Sequence, residues 1–338
     1  MTTSTRIVLA SRPHGAPTAE NFRTETAELR PPGEGEVLLE TLDLSLDPYM
    51  RGMMDDADSY TAPIEIGQTM VGGTVSRVLE SRDPSYEPGV LVLGYAGWQT
   101  HSVEPAKRLT PIRDTGLPAS TALGVLGMPG FTAWAGLENI GKPQPGETVV
   151  VAAATGPVGS MVGQIARLRG ARAVGIAGGT EKVAHLHELG FDAAINHRAD
   201  DFEDQLAAAT PDGIDVYFEN VGGKVWDAVL PRLNTYARVP VCGLVANYNS
   251  TSLPDGPDRS QALLGRILKR SLTVRGFIQN EFAATQTDAF LTEIAPLVAD
   301  GSIRYREDVT DGLDNAVAAF AGMLEGRNFG KAVVHIAD

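Results

Sequence analysis

An apolar run that ends on spaced glycines is the first place in this chain where the backbone could do chemistry. It reads Val149-Val150-Val151-Ala152-Ala153-Ala154-Thr155-Gly156-Pro157-Val158-Gly159-Ser160. A buried strand enters a glycine-containing turn, and a helix follows at once. Glycine is needed where backbone must approach a pyrophosphate and where helix and strand pack closely. The N–H groups at the helix start then hold the anion. The spacing Ala153, Gly156, Gly159 is a shortened form of the three-glycine fingerprint. Thr155, Gly156, Pro157, Val158 and Gly159 are therefore expected to bind a dinucleotide.

The next strand ends at Gly178-Gly179. An NAD-specific fold carries an acidic side chain near that point, roughly 20 residues past the first turn, for the ribose 2′-hydroxyl. Here the place is glycine, and Lys182 follows. A missing carboxylate beside a cation favours a 2′-phosphate, hence NADPH. Glu181 can serve the dipole of its own helix and point away, and Lys182 read alone is equally a solvated surface lysine. Asn220-Val221-Gly222-Gly223 closes a fourth strand at the same edge, where Asn220 either lines a ligand or caps a helix.

Metal chemistry is not expected. A zinc alcohol dehydrogenase needs Cys or His with a second His and a carboxylate. Cys242 is the one cysteine, and the six histidines are scattered. His185 and His187 stand two apart on a helix and face different ways. Gln68 occupies the place where a zinc enzyme would carry His.

These residues need a scaffold, and the chain of 338 residues is long enough for two domains. Residues 1 to about 125 are rich in Gly, Pro and short β-type runs (37–40, 70–75, 89–94) between turn signals. From about 126 the texture changes to apolar strands (148–154, 173–177, 193–197, 214–220, 237–243). Helices alternate with them (160–169, 181–189, 201–209, 224–233). Near-continuous apolar strands with intervening helices imply a doubly wound parallel sheet covered on both faces. After about 295 the β texture returns, with a helix over 315–325 and a strand over 331–336. The predicted fold class is thus α/β: a Rossmann domain over 126–294, inserted into a mostly β domain of residues 1–125 and 295–338. The formal charge of −14 argues against nucleic acid or an anionic membrane as partner. No apolar stretch is long enough to span a bilayer, and a cytoplasmic location is expected.

With Gly127-Met128-Pro129-Gly130-Phe131-Thr132-Ala133 the chain resembles the medium-chain dehydrogenases/reductases. It is most similar to their zinc-independent branch of prostaglandin reductases, leukotriene 12-hydroxydehydrogenases and curcumin-type alkenal/one reductases. Glu181-Lys182, Asp215 through Gly223, Cys242-Gly243, Tyr248-Asn249, Asp47-Pro48-Tyr49-Met50-Arg51 and Asn328-Phe329-Gly330-Lys331 carry the likeness along the whole chain. The resemblance implies a GroES-like fold for the β domain, NADPH as cofactor, and reduction of the carbon–carbon double bond of α,β-unsaturated ketones and aldehydes. It also implies a homodimer. Asn220, Cys242, Phe277 and Asn328 would line the cofactor, with Met128 near the nicotinamide. Tyr248 would contact the cofactor as well and face the reacting carbonyl as the catalytic residue. A phenol donates a hydrogen bond and stays neutral at pH 7.

Two departures stand out. His197 replaces the family's usual Tyr beside the adenosine phosphate, with Arg198 next to it, and Trp134 stands where Tyr is common. Tyr49 and Arg51 either lie at a substrate mouth or serve packing and a salt bridge. Two alternatives remain open: a quinone oxidoreductase of the same superfamily, and a catalytically silent NADPH-binding protein.

Overall fold

The computed structural model describes residues 2–252 and 257–338. The chain divides into two compact units, Met1–Gly124 with Glu307–Asp338, and Val125–Arg306.

The first unit opens with an antiparallel ribbon of β1 (Thr2–Leu9) and β2 (Phe22–Leu29). Then come β3 (Glu36–Ser45), the short helix α1 (Tyr49–Met53), β4 (Thr74–Ser81), β5 (Leu91–Gly94), β6 (His101–Pro105) and β7 (Thr110–Pro111). The strand expected over 70–75 begins only at Thr74. Before it the backbone changes partners residue by residue. Met70 bonds Ile7 and Trp98, Gly72 accepts from Gly97, and Gly73 accepts from Ser45. No single ladder forms there. Trp98 is fully buried, stacked on Phe22 at 5.8 Å and edge-on to Phe320.

The second unit begins with α2 (Met128–Gly136) and continues as strand and helix in alternation: β8 (Thr148–Ala152), α3 (Pro157–Leu168), β9 (Arg172–Ala177), α4 (Thr180–Glu188), β10 (Ala193–Asn196), α5 (Phe202–Ala209), β11 (Ile214–Phe218), α6 (Gly223–Val229), β12 (Leu233–Val241), α7 (Ser260–Arg270), β13 (Thr273–Gly276) and α8 (Asn280–Ala299). The sheet is parallel throughout, in the order β10-β9-β8-β11-β12-β13. Counted from β8 this is 3-2-1-4-5-6, the doubly wound order whose switch point lies between the first and fourth strands. All five residues of β8 are buried, as a strand covered on both faces requires. Gly170 and Gly190, just past α3 and α4, take left-handed φ of 78° and 86° and cap them. Helix α8 runs without a break across residue 294, so the second boundary between the units falls at Arg306 rather than at 294.

The chain then rejoins the first unit with β14 (Glu307–Asp311), α9 (Ala316–Leu324) and β15 (Lys331–His335), giving the order β14-β15-β3-β4-β5-β7 with β6 on β3. Lys331 joins residues 284 positions apart. Its ammonium donates to Leu46 O at 2.6 Å and to Asp47 Oδ1 at 2.7 Å, and Ser45 Oγ donates to the other Asp47 oxygen. Only 3% and 6% of the Lys331 and Asp47 side chains are exposed, so each charge depends on the other for solvation. Removing one partner of such a pair costs about 3–5 kcal/mol. Lys331→Met should therefore lower the stability of the protein by that amount in urea unfolding, whereas Lys107→Met, at an exposed position, should change it little.

Candidate active site

The turn between β8 and α3 is built by close approach. A Cβ on Gly159 would lie 2.4 Å from Ala153 O and 2.7 Å from Ala154 Cα, so only glycine lets the helix start there. Ala153 takes a φ of +50°, an uncommon left-handed conformation for a residue with a Cβ. Gly156 is the N-cap, Pro157 the first helical residue with its preset φ, and Thr155 is buried. The first helical bond is donated by Ser160 to Gly156 O. The N–H groups of Val158 and Gly159 precede it and point out of the helix start, where an anion is favoured. One glycine escaped the sequence reading. A Cβ on Gly163 would sit 1.9 Å from Phe191, so Gly163 supplies the tight helix-to-sheet packing that the third glycine of the longer fingerprint supplies elsewhere. Its position one turn past Gly159 was the available signal.

At the end of β9, Gly178 is bare because the next strand's exit crowds it. A Cβ there would lie 2.9 Å from both His197 Nε2 and Arg198 Nε. Asn196 Oδ1 ties the two loops, accepting from Gly179 N at 2.9 Å and Arg198 N at 3.0 Å. Lys182 is half-buried in the first turn of α4. Burial holds the His197 ring below its ordinary range, and the cations Arg198, Lys224 and Lys182 push it the same way. Lys224, on α6, was not anticipated, since nothing in its local spacing ties it to residues on α4 and β10.

The third part is the exit of β11 and β12. Asn220 Nδ2 donates to Ala152 O at 2.9 Å, which fastens the loop to the end of β8. Glu219, 1% exposed, accepts through one oxygen from Tyr217 Oη (3.0 Å), Val221 N (2.7 Å) and Gly222 N (2.9 Å). Its other oxygen is buried and has no hydrogen-bond partner among the described residues. Burial raises its pKa from the ordinary carboxylate value despite these donors. Its backbone carbonyl accepts from Cys242 N and Gly243 N, so this residue organises both loops. Sequence reasoning passed over it because a strand-end Glu reads as solvated.

Tyr248 follows β12 after a turn of 3₁₀ helix and is half-buried. Its hydroxyl accepts a long bond, 3.4 Å, from Leu244 N. The phenolic proton has no acceptor among the described residues. Burial raises the phenol above its ordinary range, so it remains a neutral donor at physiological pH.

The other expected residues stand as follows. Met128 is half-buried at the start of α2, its carbonyl accepting from Thr132 Oγ1 at 2.7 Å. Phe277 is buried edge-on to Phe218 at 6.1 Å, and its N–H bonds Val241 O beside Cys242. Asn328 belongs to the first unit, where its amide donates to Gly330 O at 2.8 Å. Trp134 is buried: it packs on Phe131 and Phe290, and its Nε1 donates to Glu293 on α8 at 2.7 Å. Arg51 is 2% exposed and holds Gly15 O and Asp55, the structural of its two readings. Among the described residues no group of three or more His, Cys, Asp or Glu could hold a metal ion, and no helix is long and apolar enough to cross a membrane.

A doubly wound sheet with a glycine turn at its switch point, in a chain that also folds a separate β-rich unit, defines the class: an oxidoreductase of the two-unit dehydrogenase type. Residues 5–112 match the family model described as N-terminal domain of oxidoreductase, and residues 157–294 match that described as zinc-binding dehydrogenase. The NADPH-dependent curcumin reductase of Escherichia coli is 56% identical over 333 residues, covering 98% of this chain and 96% of that protein. Prostaglandin reductase 1 of Oryctolagus cuniculus is 44% identical over 94% of this chain and 89% of its own. The crystal structure of CurA from Vibrio vulnificus in complex with NADPH superposes with a TM-score of 0.95 at 50% identity, covering 99% of both chains. The chain belongs to the zinc-independent medium-chain dehydrogenases/reductases, in the branch of the prostaglandin and curcumin reductases.

Cys242 invites a test of how this edge is tuned. Burial, with the nearby Glu219, pushes its thiol up to about 12. Only the thiolate alkylates, and an ordinary thiol titrates near 8.5. Iodoacetamide at pH 8 should therefore modify the folded protein two to three orders of magnitude more slowly, roughly, than the urea-unfolded chain. Comparable rates would show that the thiol is not held neutral.

Proposed function

We propose that the chain reduces the carbon–carbon double bond of α,β-unsaturated ketones and aldehydes with NADPH, and that Tyr248 is its catalytic residue. The observation that carries this reading is the uncommitted phenolic proton of Tyr248 at the same sheet edge as the Gly156–Gly159 turn. The residues fit the cofactor. Gly156 and Gly159 leave room for a pyrophosphate against the start of α3, and bare Gly178 with Lys182 suits a 2′-phosphate better than a ribose hydroxyl. NADPH, when bound, supplies a hydride to the β-carbon of the conjugated alkene. The chain's own work is to orient the pair and stabilise the charge that collects on the carbonyl oxygen. Tyr248 donates a hydrogen bond to that oxygen. It needs no metal and no ionised acid to do so, and the α-carbon then takes a proton from water. A reducing, cytoplasmic setting suits a chain with one free thiol.

The test is NADPH consumption with trans-2-alkenals, enones and quinones, followed by mass analysis of products. A saturated carbonyl compound two hydrogens heavier is expected. Hydroquinone alone would turn the reading to quinone reduction, and tight NADPH binding without turnover would make this a silent binding protein. Loss of one oxyanion donor costs about 10²–10³ in turnover. Tyr248→Phe should lower kcat by that factor while leaving the Kd for NADPH nearly unchanged.

We also infer a homodimer. All four residues of β13, the outer strand of the six-stranded sheet, are exposed, and neighbouring α7 presents Leu264 and Leu268 at 64% and 82% exposure. A bare edge strand beside apolar side chains suits pairing with a second copy about a two-fold axis. Sedimentation should give a dimer, and Leu268→Glu should shift it toward monomer. A wild-type monomer at micromolar concentration would remove this inference.

A further inference from the structure

We propose that Arg198 and Lys224 join Lys182 and His197 in a clamp on the 2′-phosphate monoester of NADPH, and that His197 takes up a proton as the clamp closes. The inference rests on the NADPH reading above and adds the residues that read the phosphate.

Four cationic or titratable side chains converge here from three elements: Lys182 from α4, His197 and Arg198 from the loop after β10, and Lys224 from α6. His197 Nε2 and Arg198 Nε crowd the space above Gly178, each 2.9 Å from where a Cβ would stand. The acidic side chain that would read a free ribose hydroxyl is thus replaced by nitrogen donors. The loop that brings them is not free to wander, because Asn196 Oδ1 holds the N–H groups of both Gly179 and Arg198. Among the described residues neither Arg198 nor Lys224 has an ion-pair partner. The ammonium of Lys224 rests 5.7 Å from the centre of the Phe202 ring. A half-buried imidazole close to the cations Arg198 and Lys224 is an unfavourable arrangement without an anion and a favourable one with it. The one carboxylate nearby in sequence on α4, Glu181, is exposed.

The proton follows from the same geometry. In the free protein burial, then Arg198, Lys224 and Lys182, hold the ring below the ordinary histidine value of 6.5. At pH 7.5 it is neutral. A phosphate dianion brought into contact opposes all of those influences, and an opposite charge at close range raises a pKa by about 1–3 units. Uptake therefore occurs between the depressed value of the free ring and the raised value of the complex, and NADPH affinity falls as pH rises through the latter. The phosphate itself has a second pKa near 6, so at pH 7.5 it is already a dianion and exchanges almost no proton on binding.

The experiment is isothermal titration of the full-length protein with NADPH and with NADH at pH 7.5, in two buffers of different ionisation enthalpy. The difference gives the protons taken up. About half a proton is expected for wild type with NADPH and none with NADH. His197→Asn should still bind NADPH, three- to tenfold more weakly, with no uptake. Arg198→Ala and Lys224→Ala should each weaken NADPH by a similar factor and leave NADH unchanged. Equal uptake in wild type and His197→Asn, or no uptake while wild type binds NADPH, would overturn the role of His197. Equal losses for NADPH and NADH in the Arg198 and Lys224 variants would overturn the clamp. Failure of wild type to bind NADPH at all would instead sink the cofactor reading, and the clamp with it.

Discussion

The second unit depends on one close approach, the backbone of α3 at Gly159 against the carbonyl of Ala153. With no room for a side chain, the helix begins almost on top of the strand, and its first N–H groups open at the edge where β8 ends. The parallel order of the sheet puts the ends of β9 and β11 on either side of that point. The phosphate-facing cations and the residues after β11 and β12 are placed by those two flanks. The phosphate-facing cations lie beyond β9, and Asn220, Glu219 and Tyr248 lie beyond β11 and β12. Ala153, in a left-handed conformation it would not choose alone, shows how firmly the surrounding backbone determines this turn.

Parts of this were legible in the sequence because they follow from local rules. Apolar strands and glycine-ended helices declare a doubly wound sheet, and β8 through β12 fall close to where periodicity puts them. The glycine turn is a spacing of three residues, readable without any tertiary knowledge. What was not legible depends on contacts between distant segments. Strands β1 and β2 carry alternating polar residues and few turn signals. Helix α2 lacks a clean amphipathic stripe because it is buried almost all round. Nothing near Trp134 in sequence shows that Glu293, 159 positions later, takes its N–H. The same holds for Lys224 and Glu219, whose surroundings are assembled by the sheet. Family resemblance named Tyr248 and His197, whereas Lys182 followed from the glycine pair just before it; the residues alone would have left Tyr248 as one among eight tyrosines.

Glu219 shows how a buried charge-bearing group can serve geometry. One of its oxygens gathers three donors, and two of these are consecutive N–H groups of the turn that leads into α6. That turn contains Gly222 and Gly223, both with positive φ, which would otherwise be free to reorient. The backbone carbonyl of the same residue fixes Cys242 and Gly243 on the neighbouring loop. A single side chain at the end of β11 thus sets the position of two loops that flank the switch point. The cost is a carboxyl removed from water with one oxygen unsatisfied.

The acid–base character of this edge then follows. Burial raises Glu219, Cys242 and Tyr248 together above their ordinary values, so each holds its proton more tightly than in water. An edge of that kind is poor at generating a nucleophile, since a thiolate or phenolate would be formed in a place that disfavours charge. It is well suited to the opposite task. A neutral donor beside a reacting carbonyl presents no negative charge to oppose the one that develops on the substrate oxygen, and its proton is not lost to solvent between turnovers. The cations Lys182, Arg198 and Lys224 lie instead around His197, beyond the end of β9, where the charge to be met belongs to the cofactor and is permanent. Separating the two, cations where charge is fixed and neutral donors where charge is transient, lets one sheet edge hold an anion tightly and still stabilise a second one only as it forms.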